Sequence, residues 1–212
     1  MRHLFKTSAI GAFLLLAACG QTSADETKAD VKQPEAATPQ VGDKIPEPDA
    51  ETAAPEVSER GAREIGWEDL MPEGEEERLA EIYQKQMASL YSRGGIAEGS
   101  VGDQAVQIGT FNTVTELDGQ SVRIPGYTVP LDFGADAEIT EFLLVPYYGA
   151  CIHAPPPPPN QTIYIKTDKP IKLRDLSQAV WVEGVLTSQK QTSDLADTAY
   201  TIEMTFLEPY TY

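Results

Sequence analysis

Cysteine, histidine and positive charge are all scarce: the 212-residue chain holds two cysteines, two histidines and 16 lysines and arginines against 33 acids. The shortage of basic groups excludes the partners that need them. A formal net charge of −17 repels phosphate backbones and anionic lipid headgroups, so nucleic acid is not an expected partner. A long apolar run is missing as well. The N-terminal stretch from Ile10 to Leu16 is broken by Gly11 and falls well short of the roughly 20 residues that span a bilayer, so no permanent transmembrane helix is expected there. Large apolar residues are also nearly absent from Gly20 to about Ala62. Without them that stretch cannot bury enough surface to offset chain entropy.

What is present at the N-terminus reads as an export signal. Arg2, His3 and Lys6 form a positive region, the short apolar core follows, and the small residues Ala17 and Ala18 precede Cys19. Leu16-Ala17-Ala18-Cys19 resembles the lipobox of bacterial lipoproteins, in which the cysteine sulfur takes a diacylglycerol and becomes the new N-terminus; an ordinary signal with a chance cysteine is the alternative. Gly20 and Gln21 follow with no Asp to retain the protein in an inner membrane. The expectation is therefore a lipid-anchored protein facing the periplasm from the outer membrane. The rare residues are then redistributed. Cys19 goes to lipid and His3 leaves with the signal, so Cys151 and His153 become the sole thiol and sole imidazole of the mature chain, two residues apart. No intrachain disulfide remains available to Cys151.

The chain divides into a signal peptide (1–18), a lipidated cysteine with a disordered, acidic, Pro/Ala-rich tether (19–62), a lead-in segment with a helix packing on the domain (63–100) and a β domain (101–212). Trp67 and Leu70 are spaced to anchor the lead-in. From Glu75 to Arg93 the apolar residues Leu79, Ile82, Tyr83, Met87, Leu90 and Tyr91 keep the three-and-four spacing of one helical face, and Gly94-Gly95 suits its end. Strands are expected at 105–117, 121–131, 141–147, 162–166, 179–187 and 199–207, with Asp118-Gly119 as a hairpin turn and the last two strands as a late hairpin. The fold class is mainly β with one N-terminal helix: a small antiparallel barrel, with an OB-like barrel as the leading arrangement.

Chemistry concentrates between Glu141 and Gln161. If Cys151 to His153 is extended, residues two apart share a face about 6.5 to 7 Å apart, close enough for thiolate and imidazole to meet one ion. That donor pair suits zinc first and copper second. Two ligands do not complete a site, so Asp132, Asp136, Glu141, a second protomer or a partner must add to them. Three other readings compete. Cys151 as a nucleophile with His153 as base and Asn160 as orienter would make a thiol hydrolase; a redox thiol lacks a resolving cysteine; and a buried, inert Cys151 beside a structural His153 needs no chemistry at all. An enzyme is not the favoured reading. The prolines Pro155, Pro156, Pro157, Pro158 and Pro159 form a stiff polyproline segment expected to brace the loop, with Asn160 and Gln161 hydrogen-bonding its ends. The braced loop is the alternative functional feature, as a docking surface.

Several of these runs together resemble a known family. Gly126 to Leu131, Phe142 to Tyr147, Gly149 to His153 with the five prolines and Asn160-Gln161, Val182-Glu183-Gly184 and the upstream Trp67 and Leu70 to Pro72 are similar to the domain-of-unknown-function family 3299. The resemblance implies exported or lipid-anchored proteins without an established activity. It also implies an accessory role beside ABC transporters of the macrolide-exporter or lipoprotein-release type in zinc-responsive clusters. The expectation is thus an accessory lipoprotein that binds or passes on zinc or copper.

Overall fold

The computed structural model describes residues 38–46, 57–92, 106–132, 138–172 and 175–211. The signal segment, Cys19, most of the tether, Gly94-Gly95 and Asp136 lie outside the described residues. A short strand β1 (Arg63–Glu64), a helix α1 (Glu75–Ser92) and five longer strands make up the regular structure: β2 (Ser121–Pro130), β3 (Ile139–Val145), β4 (Ile163–Ile171), β5 (Val180–Thr187) and β6 (Tyr200–Pro209). The strands run in the order β2-β3-β4-β6-β5, and β5 closes the barrel by pairing with β2. β2 closes it by serving two neighbours: Ser121 to Gly126 pair with β5, and Tyr127 to Pro130 pair with β3. Gly126 sits at the changeover, where a Cβ would lie 2.4 Å from Leu144 Cγ, so only glycine lets the two strands approach.

Four seams of the barrel are antiparallel, and the fifth, β4 with β6, is parallel. That differs from a purely antiparallel barrel, and the cause is connectivity. After β4 the chain crosses to place β5 beside β2, and the β5–β6 hairpin then returns β6 into the remaining gap, running with β4. A five-stranded barrel closed in this order is the small OB-like barrel.

Burial follows strand parity. Val122, Ile124, Phe142, Leu144, Ile163, Ile165, Val182, Leu186 and Ile202 fill the interior. Tyr127, Val129, Leu143, Val145, Ala179, Trp181 and Tyr210 form a second apolar layer. β3 contributes to both, which explains its unbroken Phe142-Leu143-Leu144-Val145 run, the pattern of a strand buried on two faces.

Two expectations need correction. The strand expected at 105–117 does not form over its described part: 106–114 is irregular and Thr115–Leu117 is a 3₁₀ turn, so Asp118-Gly119 leads into β2 rather than closing a hairpin. The β-rich composition is overridden by side-chain bonds. Gln107 Nε2 donates to the carbonyls of Pro157 (2.7 Å) and Asp197 (2.9 Å), and Gly109 lies so close to Pro158 that a Cβ would sit 2.6 Å from the proline Cβ.

The second correction concerns the tether, part of which is fixed on the barrel. Ser58 and Ala62 are buried, and Arg60 grips buried Glu183 at 2.9 and 3.1 Å. Polar composition hides this because Arg60 is held by a carboxylate and by stacking 3.5 Å over Phe206, rather than by apolar burial of its own. Residues 38–46 lie beside the end of β3, where Ile45 packs on the outer apolar layer.

The lead-in behaves as its spacing implies. Leu70 is buried, and Trp67 Nε1 donates to the Pro125 carbonyl at 2.8 Å. The buried Tyr200 hydroxyl donates to the Leu70 carbonyl and accepts from Val114 N–H, tying two irregular segments to β6.

Candidate functional site

β3 ends at Val145, and Pro146 follows with no N–H to extend the ladder. The next residues fold into a tight turn. Gly149 has φ +80°, and its carbonyl accepts from the N–H groups of His153 (2.8 Å), Ala154 (3.0 Å) and Ile152 (3.4 Å). Three donors converging on one oxygen cannot come from an extended chain, so the expected shared face of Cys151 and His153 does not form. A glycine at 149 makes the fold-back possible. Cys151 itself takes φ +64°, the one positive φ at a non-glycine among the described residues.

The turn separates the two side chains. Cys151 is half-buried against the outer apolar layer, and burial pushes its thiol up to about 12. At neutral pH it is protonated, which makes it a weak nucleophile and a weak metal ligand. Ile152 and His153 are exposed. Among the described residues no group of three or more His, Cys, Asp or Glu side chains could hold a metal ion. Asp132 and Glu141 therefore do not complete a set with Cys151 and His153. Glu141 instead bonds the Tyr164 hydroxyl. The donors present do not fit a self-contained zinc or copper site.

The proline run is an internal brace. Pro156, Pro157 and Pro159 are buried and Pro158 is half-buried, leaving Pro155 exposed. Their carbonyls do the bonding: Tyr147 Oη donates to Pro155 (2.7 Å), Thr162 Oγ1 to Pro158 (3.2 Å) and Ala199 N–H to Pro159 (2.8 Å). Burial removes the run as a ligand for an aromatic groove.

Asn160 is fully buried and serves a different centre from the one expected. Its Nδ2 donates to Glu75 Oε1 and to the Asn112 carbonyl, both at 3.2 Å, so it does not orient His153. Glu75, 2 % exposed at the start of α1, also accepts from Thr110 Oγ1 and from Asn112 Nδ2 (2.9 Å). Gln161 Nε2 donates to the Trp67 carbonyl at 2.8 Å. The thiol-hydrolase arrangement loses its third member.

Sequence reasoning missed a cavity of about 90 Å³ behind the turn, lined among others by Tyr127, Thr128, Tyr148, Ile152, His153 and Leu176. Thr128 is 3 % exposed and its hydroxyl has no hydrogen-bond partner. The Tyr127 and Tyr148 rings meet edge to face at 5.6 Å. Nothing in the sequence marks Thr128, because one threonine in a β-rich strand is ordinary. Tyr83 of α1 also reaches this end of the molecule, adding to the upward shift of the Tyr147 hydroxyl, which burial and Cys151 push up to about 12. Tyr83 and Met87 remain exposed.

Residues 67–209 match the model of a family described as protein of unknown function, DUF3299. The chain is also similar to a crystal structure of a DUF3299 family protein from Pseudomonas aeruginosa, at 34 % identity and a TM-score of 0.54, over 72 % of this chain and 98 % of that one. None of the curated proteins matches. With the barrel, the braced turn and both similarities in hand, the chain belongs to the DUF3299 family.

Proposed function

We propose that the protein is a non-catalytic docking module, held in the outer membrane by lipid on Cys19 and facing the periplasm, that engages a protein partner through the Tyr147–Ala154 turn. The observation that carries this reading is the cavity beside the turn. Substrate pockets run to about 300–1,000 Å³, whereas some 90 Å³ accommodates a group the size of one side chain. Anchoring side chains from a partner fill pockets of that scale. Exposed Ile152 and His153 stand at its rim, and Thr128 is part of its wall. An envelope transporter is the partner class suggested by the family resemblance.

The docking reading is tested in cells by placing a photo-crosslinking amino acid at Ile152 and, as a control, at exposed Val185 on β5. Crosslinks to a discrete protein from position 152 but not from 185 are expected. Equal patterns at both positions would remove the case.

A further inference from the structure

We propose that the edge formed by Pro146, Tyr147 and Tyr148 is a strand-addition site, filled here by the chain's own residues 42–46 and open to an extended partner segment carrying an apolar residue in the place of Ile45. This rests on the docking reading and gives its partner a chemistry.

The seam is built from backbone. Gly42 N–H donates to the Tyr148 carbonyl (2.8 Å), Tyr148 N–H to the Asp43 carbonyl (2.9 Å) and Ile45 N–H to the Pro146 carbonyl (3.3 Å). Lys44 pairs with Tyr147 as an antiparallel bridge. Two further contacts hold the added segment: Ile45 packs on the outer apolar layer, and the Tyr210 hydroxyl donates to the Pro46 backbone carbonyl at 2.7 Å. Backbone bonds, the one accepted by the Pro46 carbonyl included, supply affinity that any extended segment can satisfy, while the apolar shelf under Ile45 selects an apolar residue at that position.

The segment now in place is lightly held. Every residue from Thr38 to Pro46 is exposed or half-buried. The next described segment is the opposite, with Ser58, Ala62 and Ile65 buried and Arg60 clamped on Glu183. Between them Glu47 to Glu56 contains four acids and no large apolar residue. The barrel is therefore locked from residue 57 onward, and residues 38–46 can lift without disturbing it. Few buried apolar contacts and exposed backbone bonds place such a segment at the low-stability end of a fold. Lifting also alters the candidate site directly, because Tyr148 and Gly149 belong both to the seam and to the cavity wall.

Two measurements on the full mature chain test this. In unmodified protein the amides of Gly42, Ile45 and Tyr148 are expected to exchange with deuterium about 100-fold faster than those of Ile163 and Ile165 in β4. Exchange as slow as the barrel's would overturn the proposal. A fluorescent synthetic peptide of residues 38–48 is then titrated into wild-type protein and into an Ile45→Asp chain whose circular dichroism matches wild type. Binding about ten-fold tighter to the variant is expected, since the tethered segment no longer competes, with no binding of a scrambled peptide. Equal binding to both chains, or to neither, would overturn it. Neither measurement needs the cellular partner, so failed crosslinking at Ile152 would sink the docking reading alone.

Discussion

Cys151 shows how one backbone angle decides between two chemistries. In an extended chain it would share a face with His153; at φ +64°, behind the positive φ of Gly149, its sulfur turns to the apolar layer while His153 stays in solvent. The desolvated thiol, pushed up to about 12, carries almost no thiolate at pH 7. Two outcomes follow from that protonation state. Maleimide labelling of the native chain should be slow at pH 7 and should climb about ten-fold per pH unit through pH 10, with no plateau in that range. Zinc titration should give the same affinity for wild type and for a Cys151→Ser, His153→Ala chain. A higher affinity in wild type, with zinc blocking the labelling, would restore the metal relay and displace the inert reading of Cys151. The closeness of Cys151 and His153 along the chain was legible in the sequence; the separation of their side chains was not, because it depends on three N–H groups closing on the Gly149 carbonyl.

At the level of elements, the proline run and α1 are joined through a carboxylate that no sequence pattern singled out. Glu75 sits among Glu73, Glu76 and Glu77 and reads as one more acid at a helix start, yet it alone is buried there, accepting from Thr110, Asn112 and Asn160. Among the described residues Arg78 is its one charged partner, with Nε 3.7 Å from Glu75 Oε2, and the buried carboxylate depends on the three neutral donors for its hydrogen bonds. Asn160→Asp would set a second carboxylate where Nδ2 now lies 3.2 Å from Glu75 Oε1. The loss in unfolding free energy is expected to be about 3 kcal/mol, read from urea denaturation. Asn160→Ala should cost less, because it removes a donor without adding a charge. A loss under about 0.5 kcal/mol for both would show that the centre does not hold the helix. Strands with clean alternation or long apolar runs, β2 to β6, were legible. The 106–114 segment was not, since its order comes from Gln107, Thr110 and Asn112 side chains rather than from a backbone ladder.

Across the whole molecule the outer apolar layer holds the groups that burial shifts furthest towards alkali, and the barrel interior adds Tyr200, which burial also raises. The barrel core is made of aliphatic and aromatic side chains with one tyrosine, Tyr200, inside it. The outer layer instead gathers three groups that burial pushes up to about 12: Cys151 from an ordinary value of 9, and Tyr147 and Tyr164 from 10. In each case the folded state favours the protonated form. Their contribution to stability is fully present below about pH 9, where the unfolded thiol begins to ionise, and is lost as pH rises towards 12. The net charge of −17 grows more negative over the same range, so self-repulsion acts in the same direction and cannot be separated by pH alone. A variant separates them. Cys151→Ala removes one titrating group from the layer and leaves the charge at neutral pH unchanged. Urea midpoints of wild type should fall steadily between pH 8.5 and 10.5, and those of Cys151→Ala should fall less steeply, so that the two curves converge with rising pH. Parallel curves would mean that the thiol is solvated in the native state, and would return Cys151 to the set of groups available for chemistry at the turn.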